Sequence, residues 1–127
     1  MSITIINETK STMPKVDFDV IRNLVLGKSY DLNLIVTTPS RIKLLNKIYR
    51  GKDKPTDILS FPLSKSQGEI YICTSESRKQ AKQFGRSYNN FFVYLFIHGC
   101  AHLKGYDHGS RMDVFEKKIC RAISLQE

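Results

Sequence analysis

Apolar and polar positions alternate or recur along this chain with periods that divide it into strands and helices. Residues 3–6 alternate as a first strand, and residues 16–26 carry apolar side chains at helical spacing until Gly27 stops them. Leu32, Leu34 and Val36 alternate with polar neighbours on a second strand. Thr38-Pro39-Ser40 then supplies a turn and a helix start, with Ile42, Leu44, Leu45, Ile48 and Tyr49 following at helical spacing. Residues 51–57, rich in Gly, Asp and Pro, read as a loop. Residues 58–63 form a strand whose proline suits a sheet edge, and residues 68–73 a strand paired with it as a hairpin across residues 64–67. A polar helix over 75–84, an apolar helix over 88–103, and a final amphipathic helix complete the pattern. Ser110-Arg111-Met112-Asp113 resembles a capping box opening that last helix. The expected fold is α/β (α+β), a small mixed four-stranded sheet flanked by helices, in one domain over residues 1–127.

The apolar helix carries the chemistry. All three histidines lie in His98-Gly99-Cys100-Ala101-His102-Leu103-Lys104-Gly105-Tyr106-Asp107-His108. His98 and His102 are four apart and project from one helix face. Gly105 can end the helix in a left-handed conformation, and the returning chain brings His108 to the same point. Three neutral imidazoles with a fourth position open describe a catalytic zinc site, one ion per chain, rather than a closed structural one. Their spacing matches the ligand and glycine places of the zinc-peptidase signature H-E-x-x-H-x-x-G-x-x-H. Gly99 stands where that signature requires a glutamate as general base, which argues against peptide hydrolysis.

Charge narrows the substrate. Lys and Arg number 20 against 12 Asp and Glu, a formal net charge of +8 on 127 residues, and such an excess attracts polyanions, nucleic acid foremost. Arg50, Lys52 and Lys54 concentrate positive charge at the end of a helix and in the loop after it. Alone they would read as a solvated charge run; beside a metal site, a phosphate-gripping loop is the better reading. An arginine presents a planar fork matching two phosphate oxygens, which a lysine does not.

Cys73, Cys100 and Cys120 form no C-x-x-C pair and leave one over if two are joined, so reduced thiols in a cytoplasmic protein are expected. Cys100 points away from the ligand face and is expected to pack in the core. The first seven residues alternate like a strand rather than a basic-then-apolar leader, and no apolar run is long enough to span a bilayer.

Together, residues 49–62, Tyr-Arg-Gly-Lys-Asp-Lys-Pro-Thr-Asp-Ile-Leu-Ser-Phe-Pro, and the histidine stretch 98–108 resemble the YbeY family of bacterial endoribonucleases. Gly68-Glu69-Ile70-Tyr71-Ile72 resembles the family's sheet segment between them. The resemblance runs from Leu44 to His108; the N-terminal third is compatible with it but carries little signature. Ala101 departs from the family's usual leucine, on the back face of the helix, and the C-terminal helix is short.

The resemblance implies a metal-dependent endoribonuclease, selective for single strands, acting in ribosomal RNA maturation and ribosome quality control, usually with zinc. It places the metal ligands at His98, His102 and His108 and the functional arginine at Arg50. Single-stranded rRNA is the implied substrate, with ribosomal proteins or ribosome-associated GTPases as candidate partners and no membrane. Lys52 and Lys54 then suit backbone phosphate. Asp107, beside the last ligand, either orients a histidine ring or caps the turn locally. Either a water activated by the metal or the RNA's own 2′-hydroxyl attacks the phosphate. Two alternatives stand: a metallopeptidase-like hydrolase with another base, and a non-catalytic ribosome- or RNA-binding protein with a structural metal.

Overall fold

The computed structural model describes residues 3–125. Its elements in chain order are β1 (Thr4–Asn7), α1 (Phe18–Val25), β2 (Asp31–Thr37), α2 (Pro39–Arg50), β3 (Ile58–Ser64), β4 (Gln67–Cys73), α3 (Thr74–Gln83), α4 (Tyr88–Lys104) and α5 (Ser110–Ala122). The sheet order is β1-β2-β4-β3, with β1, β2 and β4 parallel and β3 antiparallel to β4. The mixed four-stranded sheet with flanking helices is the expected architecture.

Side-chain alternation on β2 and β4 divides the core between the two faces of the sheet. Leu32, Leu34, Val36, Ile70 and Ile72 pack with Phe18, Ile21 and Val25 of α1 and with the apolar body of α4. Ile35, Tyr71 and Cys73 face the other way, against Ile42 and Leu45 of α2. Because both faces are covered, β2 and β4 are almost continuously buried, as parallel strands between helices generally are. β3 is an edge strand, and Pro62, which has no N–H to donate, sits beside a register shift between Pro62 and Ser64.

Local chemistry moves several helix ends from their sequence-based positions. Asp17 is the N-cap of α1, its carboxylate accepting from the Asp19 and Val20 N–H groups, so Val16 and Asp17 lie outside the helix expected to begin at residue 16. The capping box expected at residues 110–113 is not formed. Gly109 is the N-cap of α5 and no side chain caps it, because Ser110 is already inside the helix. The backbone of Gly109, at φ 146°, makes the turn between the last histidine and α5, a conformation open to glycine.

Candidate metal centre and cleft

α4 delivers two of the histidines and a pinned turn delivers the third. Gly105 caps α4 at φ 112°, and the Tyr106 N–H donates to the Ala101 carbonyl, reversing the chain. The Tyr106 ring then stacks on Phe115 of α5, centroids 4.6 Å apart at 18°, which holds the returning segment against the helices. The candidate ligand atoms of His98, His102 and His108 consequently lie within 4.8 Å of one another. The sequence-based trio is brought together, and among the described residues no fourth His, Cys, Asp or Glu joins the group.

The donor set fits a metal. His98 Nδ1 pairs with Glu116 Oε2 at 2.5 Å, and His102 Nδ1 donates to the Tyr106 carbonyl at 3.0 Å. A carbonyl only accepts, so the His102 proton is on Nδ1 and the Nε2 lone pair is free to bind an ion. Burial, reinforced by neighbouring His98, pushes the His102 pKa down and keeps this imidazole neutral, the form that ligates. Glu116 is only 4% exposed, so its bond to His98 is shielded from competing water. Asp107 is exposed, and its carboxylate makes no hydrogen bond among the described residues. Orientation of the rings falls instead to Glu116 and the Tyr106 backbone. Glu116 lies eight residues past His108 on α5, and only its inward place on an amphipathic helix hinted at it. Cys100 is buried in the main core, where burial pushes its thiol pKa up, and it stands outside the histidine group.

Gly99 explains the missing glutamate in steric terms. A Cβ there would come within 2.9 Å of Ser60 Oγ and 3.0 Å of both Ile58 Cδ1 and Ile70 Cδ1. The position faces the sheet, where α4 crosses β3 and β4, and a side chain at residue 99 would have to displace these three side-chain ends.

The opposite wall of the cleft comes from the end of α2. Gly51 closes that helix at φ 69°, and buried Asn46 donates through Nδ2 to the Lys54 carbonyl at 2.9 Å, tying the loop down. Arg50 Nη2 donates to the Ser60 carbonyl at 3.0 Å, and its guanidinium lies 5.0 Å from the Phe61 ring centroid. Arg50, Lys52, Lys54 and Asp57 line one cleft of about 790 Å³ together with the three histidines. Lys52 and Lys54 are exposed and form no ion pair among the described residues. In the sequence, Asp57 reads only as the end of the 51–57 loop. Burial raises its carboxyl pKa above the usual value of 3.8, against backbone hydrogen bonds and the nearby His98 charge that lower it.

Fold and cleft together define a class: α/β proteins that present a histidine cluster from a helix and the turn after it, facing a cationic loop. The chain matches the family described as Endoribonuclease YbeY over residues 3–122. It is 41% identical over 108 residues to the "Endoribonuclease YbeY" of Aliarcobacter butzleri, covering 80% of this chain and 76% of that one. It is 38% identical over 117 residues to the protein of the same name from Petrotoga mobilis, covering 85% and 81%. A solution structure of a Thermotoga maritima protein superimposes with a TM-score of 0.69 at 31% identity, over 95% of this chain and 88% of that one. The chain belongs to the YbeY endoribonuclease family.

Proposed function

We propose that this protein is a metal-dependent endoribonuclease that cuts single-stranded RNA during ribosomal RNA maturation and ribosome quality control. The observation that carries the reading is the convergence of three imidazoles, with no fourth protein ligand among the described residues, on a cleft whose facing wall is cationic. Family membership supports RNA as the substrate.

His98, His102 and His108 hold the ion, zinc by the softness and number of the imidazole donors. When bound, such an ion supplies a Lewis acid that activates water or polarises a phosphoryl oxygen near neutral pH. Glu116 and the Tyr106 carbonyl hold two of the rings in the tautomer that faces the cleft. Arg50 is the catalytic cation: its fork stabilises charge developing on the phosphate oxygens, with Phe61 and the Ser60 carbonyl setting its direction. Lys52 and Lys54 bind backbone phosphates on either side and fix the strand's register without reading its sequence. No helix among the described residues is long and apolar enough to cross a membrane, and all three cysteines are free thiols. These features suit action on ribosomes in the cytoplasm, where ribosomal proteins or ribosome-associated GTPases would be its partners.

The test is cleavage of single- and double-stranded RNA with and without added zinc. Wild-type protein should cut the single strand only with metal. His102→Ala should lose both the bound ion and the cutting, since two imidazoles do not make a tight catalytic site. A His102→Ala protein that keeps full metal content and full rate would sink the assignment.

A further inference from the structure

A second cleft, of about 490 Å³, opens where the turn after α3 meets α4 and α5; its walls include Phe84, Arg86, Phe91, Tyr94, Asp113 and Glu116. Phe84 stacks on buried Phe91, centroids 5.8 Å apart at 19°, yet Phe84 remains 66% exposed. It is a rigid aromatic platform with a free face. Arg86 lies over the Tyr94 ring at 4.6 Å, and its Nη1 is shielded from solvent with no acceptor among the described residues. Shielded donors left without partners are uncommon in folded proteins and call for an explanation.

This cleft and the metal centre are linked through His98, although no residue lines both clefts. Glu116 lines it and also bonds His98, and Tyr94 stands one helical turn before His98 with their ring centroids 5.9 Å apart. α3 makes the same connection along its length. Glu76 and Gln80 line the metal cleft, and Phe84, four residues further on, lines the second one. Four residues of helix advance about 6 Å, so Phe84 stands about one turn of α3 beyond the part of the metal cleft that Gln80 lines.

We propose that this second cleft is a subsite for one unpaired nucleobase of the RNA, belonging to a nucleotide that flanks the scissile phosphate; the proposal rests on the nuclease reading above. The base stacks on the free face of Phe84. A base-edge acceptor, a carbonyl oxygen or an unprotonated ring nitrogen, faces the Arg86 guanidinium, and Asp113 accepts from an exocyclic amine where the base has one. Every base has a π-face, so the stack tolerates any sequence. A paired base, already stacked in its own helix, has no face to offer. The subsite therefore gives a physical source for single-strand selectivity that the metal and the cations, which see only phosphate, do not provide.

The experiment compares wild type with Phe84→Ala and Phe84→Trp under single-turnover conditions at sub-saturating enzyme. The substrate is a single-stranded RNA, either intact or carrying one abasic nucleotide at each position beside the cut. Losing one base–aromatic stack should lower kcat/KM of the Ala variant about ten-fold on intact RNA. One abasic position should lower the wild-type value similarly, and the two changes combined should cost no more than either alone. Phe84→Trp should retain activity on intact RNA, and metal content should be equal in all three proteins. Cleavage by Phe84→Ala at the wild-type rate, or losses that multiply when combined, would overturn the subsite while leaving the nuclease intact. Wild-type protein that leaves all RNA uncut overturns the nuclease reading, and the subsite falls with it.

Discussion

The two walls of the metal cleft are built from opposite materials. Two of the three histidines stand on α4, whose apolar side chains fill the main core, and both have their second nitrogen committed, to Glu116 at 2.5 Å and to the Tyr106 carbonyl at 3.0 Å. The cationic wall stands on the loop after α2. There only Arg50 is steered, by the Tyr49 and Ser60 carbonyls and one aromatic ring, and Lys52 and Lys54 extend into solvent. Two of the three ligands are oriented before anything binds. The cationic wall is held at its base by Asn46 and left for a polyanion to arrange. The difference follows from what each wall must grip. An ion demands donors at fixed distances, so misplaced ligands lose it. A phosphate chain is bound through long-range charge, which tolerates movement and falls with salt.

If that contrast is correct, the two walls fail in different ways when altered. The largest separation should come from Arg50→Ala, expected to slow single-turnover cleavage at saturating enzyme about 100- to 1000-fold. Metal content and melting temperature should stay at wild-type values, and Arg50→Lys should restore little, since an ammonium lacks the planar fork. Cutting at the wild-type rate would return Arg50 to the solvated charge run.

A smaller and complementary effect is expected from the other wall. Glu116→Gln keeps the shape but removes the charge that strengthens the His98 bond. Zinc affinity, measured by competition with a chelator, should fall about 10- to 100-fold. Unaltered zinc affinity would mean that Glu116 merely fills the core.

The smallest effect concerns Asp57, the acidic member of the cationic wall. Its carboxyl pKa is raised in the folded protein, mainly by burial. A proton is therefore held more tightly folded than unfolded, and this stability is full below the unfolded value near 3.8 and lost as pH rises through the folded value. Asp57→Asn mimics the protonated form. It should raise the melting temperature slightly at pH 7, by about 1–3 °C, with the gain vanishing as pH falls below about 4. A gain that persists at low pH would assign the effect to packing rather than charge.

The elements and the histidine cluster were largely legible in the chain because both depend on local periodicity. A helix places residues 98 and 102 on one face whatever surrounds it, and Gly105 marks where the helix ends. Apolar stretches on β2 and β4 signalled strands for the same reason. Helix ends were less legible, since a cap is a competition among neighbouring residues that differ by small energies. Asp17 won it at α1, whereas at α5 Gly109 took the place expected of Ser110.

Glu116 was only hinted at by its inward place on α5, because its partner His98 lies on α4, and Asp57 reads as one more loop residue, because the burial that raises its pKa is set by packing. Gly99 shows both sides of the matter. Its identity alone argued against a peptidase, but only the crossing of α4 over β3 and β4 shows how crowded the position is, with Ser60, Ile58 and Ile70 side chains 2.9–3.0 Å from where a Cβ would stand. The chain by itself determined the periodic elements, the chemistry of the ligands and the sign of the charge, all of which are set by neighbours a few bonds away. Tertiary structure decided which cations face the histidines, which carboxylate orients them, and how closely helix and sheet approach. Those depend on packing between segments far apart in sequence, where a difference of one side-chain layer changes every distance.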